Sequence, residues 1–166
     1  GNVYDGLDEY QSPIVLGKSE VIYEESDIAI FSVGHMMETA EKVWSSLKEK
    51  GYSCSLINSR FVKPMDKDVL EQMSKTHKLF VTIEDALISG GYGAAVTQYM
   101  AGKKEKCKVM TNGIPDFYVE HGTIKELRKS LQLDAESIVE KIETEYGSTK
   151  EYSETALEIE AASLFL

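Results

Sequence analysis

Five consecutive residues near the middle of the chain, Leu79-Phe80-Val81-Thr82-Ile83, carry no charge and almost no polarity. A strand with one face in water alternates apolar and polar residues, because successive side chains point to opposite faces. An unbroken run of apolar, β-branched and aromatic residues is what a strand buried on both faces requires. A sheet built around it must be covered on both sides, and helices are the usual cover. This run alone argues against a one-sided meander and for a layered α/β structure.

The flanking segments supply the other layers. Lys18 to Tyr23 reads as a short strand, and Glu24-Glu25-Ser26-Asp27 turns into a second from Ile28 to Val33. Met36, Met37, Ala40, Val43, Trp44 and Leu47 then recur at helical spacing and form one apolar face. Lys48 and Lys50 suit the negative end of that helix, and Gly51 can take the left-handed stop conformation. Tyr52 to Asn58 reads as a third strand. Arg60 to Met65 is a loop, since Pro64 turns the residue before it away from helix. A short helix from about Asp66 has Val69, Leu70 and Met73 inward. After the central run, Gly90-Gly91-Tyr92-Gly93 opens a helix over Ala94 to Met100, and Cys107 to Met110 is a fifth strand. Thr123-x-x-Glu126 is a capping box, and Asp134 caps a last helix with Ile138, Val139, Ile142 and Tyr146 inward, ending at Gly147.

The expected architecture is a three-layer α/β/α sandwich around a five-stranded, mostly parallel sheet. The tight connection between the first two strands predicts one antiparallel edge strand. Residues 1–17 read as an interdomain linker, 18–146 as the folded domain, and 147–166 as a tail. The tail holds a second capping box at Ser148 and Glu151 and an apolar end, Leu164-Phe165-Leu166, which suits an added helix or a partly ordered extension. The opening at Gly1, with a linker-like stretch and no Met, gives the expectation of a fragment of a longer polypeptide.

Charge narrows the partners. The 28 acidic and 18 basic side chains give a formal net charge of −10, which repels polyanions and argues against nucleic-acid binding. No run approaches the ~18–20 apolar residues of a membrane span, and the first residues lack the basic and apolar regions of a signal peptide. Cys54 and Cys107 both lie in apolar, strand-like runs and read as buried free thiols, with the cytoplasm as default compartment.

Chemistry is harder to find. The stretch from Ile83 to Ala95 leaves a strand and opens a helix, where free amides and the helix dipole can hold an anion. Yet it lacks the Gly-Lys-Ser/Thr ending of a phosphate loop. The dinucleotide pattern fails as well, because Val96 stands where the third glycine belongs. Close packing is the commoner reason for such glycines, and ligand binding stays open as the second reading. Glu84 and Asp85 sit at the carboxyl end of the central strand, the ligand-facing edge of open α/β sheets. A solvated pair, or one bonded to loop amides, is the plainer alternative to a metal or proton-transfer role. His35 opens a helix, His77 lies in a polar approach to a strand and reads as a surface residue, and His121 follows an irregular loop. No spacing among histidines and cysteines resembles a metal site, and no Gly-x-Ser-x-Gly elbow is present.

Taken in order, several pieces resemble a known family. They are Ser32-Val33-Gly34, Asn58-Ser59-Arg60-Phe61-Val62-Lys63-Pro64 with Asp66, Val81-Thr82-Ile83-Glu84-Asp85, and Ser89-Gly90-Gly91-Tyr92-Gly93-Ala94-Ala95-Val96. Gly113-Ile114-Pro115-Asp116-Phe117, Val119-Glu120-His121-Gly122 and Leu133-Asp134-Ala135-Glu136-Ser137-Ile138 follow. The series, over roughly residues 12–145, is similar to the transketolase carboxy-terminal domain in the form found in 1-deoxy-D-xylulose-5-phosphate synthases.

The resemblance implies a full enzyme that condenses pyruvate with glyceraldehyde 3-phosphate and releases carbon dioxide, feeding isoprenoid, thiamine and pyridoxal synthesis. It implies thiamine diphosphate and Mg²⁺ held by two preceding domains, the cofactor supplying the carbanion chemistry. No catalytic or cofactor-binding residue carries over to this chain, which is expected to be inactive alone. Glu84, Gly90, Gly91, Gly93, Glu120 and His121 are then expected on the edge facing those domains or a homodimer partner. The alternatives are a phosphate- or nucleotide-binding regulatory module, the carboxy-terminal domain of another transketolase-type enzyme, or a free-standing partner of a separate catalytic subunit.

Overall fold

A computed structural model describes residues 13–104, 107–117 and 122–147. Five strands form one sheet: β1 (Glu20–Tyr23), β2 (Asp27–Ser32), β3 (Cys54–Asn58), β4 (His77–Leu87) and β5 (Lys108–Ile114), in the order β1-β3-β2-β4-β5. The helices are α1 (Met37–Glu49, entered through a 3-10 turn at Gly34–Met36), α2 (Lys67–Ser74), α3 (Tyr92–Ala101), α4 (Ile124–Ser130) and α5 (residues 135–147). All pairings are parallel except β1 with β3, so the mostly parallel sheet with one antiparallel edge is as the sequence implies.

The apolar run of β4 is divided between the two faces by the strand period. Leu79, Val81 and Ile83 join Ile28, Ile30 and Leu56 under Val43 and Leu47 of α1 and Ile138 and Ile142 of α5. Phe80 joins Ala29, Phe31 and Ile57 on the opposite face, under Leu70 and Met73 of α2 and Val96 of α3. Ile28 through Phe31 are wholly buried, as a central strand covered on both sides must be. The expected apolar face of α1 is the observed one, and Trp44 also donates from Nε1 to the Cys54 carbonyl at 2.9 Å while stacking on Tyr23.

The edge strand holds a surprise of connection. β1 is antiparallel and joined to β2 by a tight turn, yet the two are not neighbours, because β3 lies between them. Crossing one intervening strand needs about 9–10 Å, which the four steps from Tyr23 to Asp27 can span at ~3.3 Å each. The turn is fixed on the strand it passes: Glu25 N donates to Ser55 Oγ at 2.8 Å and Ser26 N to Ser53 Oγ at 3.2 Å. The Glu25 carboxylate takes Lys48 Nζ at 2.6 Å, and Lys50 reaches Glu143 of α5 at 2.7 Å. The two lysines that suit the end of α1 therefore also tie it to neighbouring elements.

His77 corrects the sequence reading. It is 4% exposed, not at the surface. Its Nδ1 lies 2.8 Å from the Met73 carbonyl, which can only accept, so Nδ1 carries the proton and Nε2 accepts from the Ser55 hydroxyl at 2.9 Å. Burial pushes the imidazole below its usual pKa, which keeps it neutral. Cys54 is buried and Cys107 half-buried, both free, and burial pushes both thiols up to about 12. Gly147 is still helical; the tail, and residues 1–12 of the expected linker, lie outside the described residues. Among the described residues no helix is long and apolar enough to cross a membrane.

Candidate functional site at the carboxyl edge of the sheet

The chain leaves β2 towards α1 on one face and leaves the adjacent β4 towards α3 on the other. That divergence makes a crevice at the carboxyl ends of β2 and β4, the usual ligand position in open α/β sheets. Ser32, Gly34 and His35 border it from β2, and Glu84 and Asp85 from β4.

Glu84 and Asp85 point to opposite faces and meet different fates. Glu84 is 2% exposed. Its Oε2 accepts from Tyr92 N at 2.7 Å and its Oε1 from Gly93 N at 2.8 Å, both in the first turn of α3. The positive end of that helix is thus occupied by the protein's own carboxylate. This is the amide-bonded alternative of the sequence reading. Asp85 stays half-exposed, with Arg128 of α4 at 3.7 Å.

Gly91 and Gly113 make room for Glu84, and Gly93 lets the start of α3 close onto β4 and β5. A Cβ on Gly91 would lie 2.4 Å from the Leu87 carbonyl and 2.6 Å from Glu84 Oε2. One on Gly93 would lie 2.4 Å from Thr82 Oγ1 and 2.7 Å from Thr111 Cγ2. One on Gly113 of β5 would lie 2.9 Å from the Ala86 carbonyl. That last clearance lets β4 run on to Leu87, beyond the Leu79–Ile83 stretch legible as strand, with a register shift between Ile83 and Leu87. Gly90 has a different job: it turns the chain at φ +78°, with nothing against it. Below the glycines, Ser59 donates to the Tyr92 hydroxyl at 3.0 Å, and burial pushes that phenol up to about 12. The packing reading of the glycine-rich stretch is the one the geometry favours.

On the other face of the edge, His35, Asp85, Ile114, Leu127, Arg128 and Leu131 line a cavity of about 770 Å³. Glu38 at its rim is held below the usual carboxylate range by Lys42, 2.6 Å away, with Arg128 adding to the effect. The capping box of α4 forms as expected, Thr123 N donating to Glu126 Oε2 at 2.9 Å. Glu120 and His121 lie outside the described residues. Ser59, Tyr92 and Gly113 lie outside the expected site residues. Gly113 falls beyond the Cys107–Met110 strand legible in the sequence, and only because β5 runs on to Ile114 does it stand as a glycine inside a strand, the mark of a close backbone approach. Among the described residues no three His, Cys, Asp or Glu side chains are placed to hold a metal ion.

An α/β sandwich of this strand order, with a glycine-opened helix capped from the strand before it, defines a class. Residues 17–138 match the family model described as "Transketolase, C-terminal domain", and the chain belongs to that family. Its curated relatives are more specific. It is 39% identical over 148 residues to the 1-deoxy-D-xylulose-5-phosphate synthase of Lachnoclostridium phytofermentans, a match covering 89% of this chain and 24% of that protein. The synthase of Psychromonas ingrahamii is 36% identical over 144 residues, covering 87% and 22%. The chain thus spans about a quarter or less of the length of these relatives. Among solved structures, a split-gene transketolase described as an inactive beta4 tetramer aligns with a TM-score of 0.72 at 23% identity, over 81% of this chain and 44% of that one. Campylobacter jejuni transketolase aligns at 0.58 and 15% identity, over 77% and 18%. At such identities the structural likenesses speak for the fold.

Proposed function

We propose that this chain is the carboxy-terminal domain of a 1-deoxy-D-xylulose-5-phosphate synthase, in which it supports the assembly of the enzyme and performs no chemical step. The observation that carries this reading is identity of 39% to such a synthase over 89% of the chain, with only 24% of the synthase spanned. The whole enzyme would join pyruvate to glyceraldehyde 3-phosphate with loss of carbon dioxide, in the cytoplasm.

Thiamine diphosphate, with Mg²⁺, would supply the carbanion chemistry there. The described residues do not fit either group. The one glycine-opened helix N-terminus that suits a diphosphate is filled by Glu84, 2.7 and 2.8 Å from its amides. We therefore assign cofactor binding to the domains that precede this one. In this reading residues 18–146 form the domain, 1–17 link it to its neighbours and 147–166 are an added tail. The edge bearing Glu84, Gly90, Gly91 and Gly93 faces those neighbours or the second subunit of a homodimer, and Glu120 and His121, outside the described residues, are assigned to the same contact. Leu87 and Phe117, 50% and 62% exposed along that edge, suit such a contact.

The test is to assay two proteins with both substrates, thiamine diphosphate and Mg²⁺. One is the 166-residue chain, the other the longer polypeptide read from the coding sequence upstream of Gly1. Turnover by the longer protein and none by the chain is the expected result. Turnover by the chain alone overturns the reading, as does an upstream region that encodes no further α/β domain.

A further inference from the structure

The segment leading into β1 exposes three consecutive aliphatic side chains: Ile14, Val15 and Leu16 are 76%, 55% and 75% exposed. A run of exposed apolar residues on a surface of net charge −10 is out of keeping with the rest of the chain. The backbone that carries it is nonetheless anchored at both ends. Arg60 Nη1 donates to the Pro13 carbonyl at 3.3 Å. Lys18 N closes a turn onto the Val15 carbonyl at 3.1 Å, Ser19 N donates to Asp66 Oδ2 at 2.7 Å, and Lys18 Nζ pairs with Asp66 and Asp68. Gly17 is pressed on Pro64 so closely that a Cβ there would lie 2.8 Å from the proline ring. The segment runs beside the Arg60–Pro64 loop, which adds Val62, 40% exposed, and β1 adds Val21, 36% exposed. The result is a strap fixed along one edge of the domain with its aliphatic side chains turned outward.

We infer that this strap, with Val62 and Val21, is the seat of the immediately preceding domain of the same polypeptide, which meets it with an uncharged aliphatic surface. The inference rests on the reading above. The family is a carboxy-terminal domain, and the relatives extend over four times the matched length, so the missing mass precedes this chain. The strap immediately precedes the residues matched to the family's carboxy-terminal domain, which begin at 17, and so sits where that domain joins the rest of the polypeptide. A tether gives such a neighbour an effective concentration of about millimolar, whereas a separate molecule must bear the full cost of association. A second copy of the domain is the less favoured occupant for that reason. This seat lies at the same carboxyl end of the sheet as Glu84, because β1 is antiparallel and sets Glu20 opposite Asn58, but on the β1 and β3 side of it.

Hydroxyl-radical footprinting of the 166-residue chain and of the longer upstream-extended polypeptide tests it. Oxidation of Ile14, Leu16 and Val62 falls several-fold in the longer protein, and the Leu16→Asp variant restores the rate at Val62 to that of the short chain. Ile14→Asp is the second variant, and circular dichroism checks that both keep the fold. Equal rates in the two proteins overturn the inference, and the proposed function stands if the longer protein turns over. Protection already present in the short chain overturns it too. If that protection grows with concentration the occupant is a second copy, and if it does not, residues 1–12 cover the strap. An upstream region without a domain defeats the proposed function first and this inference with it.

Discussion

The two ends of the sheet solve the same problem in different ways. Each buries polar groups where strands stop and helices start. At the carboxyl end the chain buries a carboxylate, Glu84, and satisfies it with two backbone amides. Among the described residues no cation pairs with it there, so geometry must be tight, and Gly91, Gly93 and Gly113 supply the clearance. At the amino end the buried group is His77, kept neutral, and its partners are a serine hydroxyl and a carbonyl. Around it Ser26, Ser53, Ser55 and Glu25 share adjustable side-chain bonds. One end depends on the absence of side chains and the other on their presence. The first should be intolerant of substitution and the second sensitive to pH.

The largest expected effect comes from closing the clearance. Gly91→Val drives a side chain into the Leu87 carbonyl and the Glu84 carboxylate, neither of which can retreat. A loss of about 3 kcal/mol is expected, read as a fall in the urea midpoint; an unchanged midpoint would show that the edge is pliable. Removing the anion comes next. Glu84→Ala leaves two buried amides without an acceptor and should cost about 2 kcal/mol. Glu84→Gln, whose one carbonyl oxygen can still accept, should cost less. Equal stability of all three proteins would mean that water replaces the carboxylate.

The pH prediction sharpens the amino end. The His77 imidazole has a folded pKa below its unfolded value of about 6.5. The unfolded chain therefore binds the proton first, and stability rises with pH wherever that difference persists. The His77 contribution is full above about pH 6.5, falls as pH drops through the window below it, and levels off once the folded imidazole also protonates. Comparing urea midpoints of the native chain and His77→Gln across that window isolates the term; parallel curves would refute it. The smallest effect belongs to the turn. Glu25→Gln weakens a half-exposed pair with Lys48, and about 0.5 kcal/mol is expected, within reach of careful thermal melts.

Legibility in the sequence divides along similar lines. The layers were readable because Leu79–Ile83 and the α1 face express local periods, and burial only had to follow them. The partner of β1 was not, since pairing with β3 across a turn that leads to β2 is a non-local choice. His77 misled because Lys75, Thr76 and Lys78 surround it with polarity, while its burial is decided by Ser55 and Met73 from other elements. Glu84 was visible as a candidate, but the sequence left its role open. Its hold on α3 depends on Gly93 clearing Thr82 and Thr111, contacts between elements far apart in the chain.

The placement of β3 between β1 and β2 has a consequence for synthesis. Glu20 to Tyr23 have no sheet partner until Cys54 to Asn58 exist. On a ribosome making the chain from its amino end, β1 and the strap before it must wait while α1 and β3 emerge. Pulse-labelled hydrogen exchange during refolding should then find the β1 amides protected after those of β2 and β3. A neighbour that reads the strap reads a surface completed late, so its docking would register that this domain has closed.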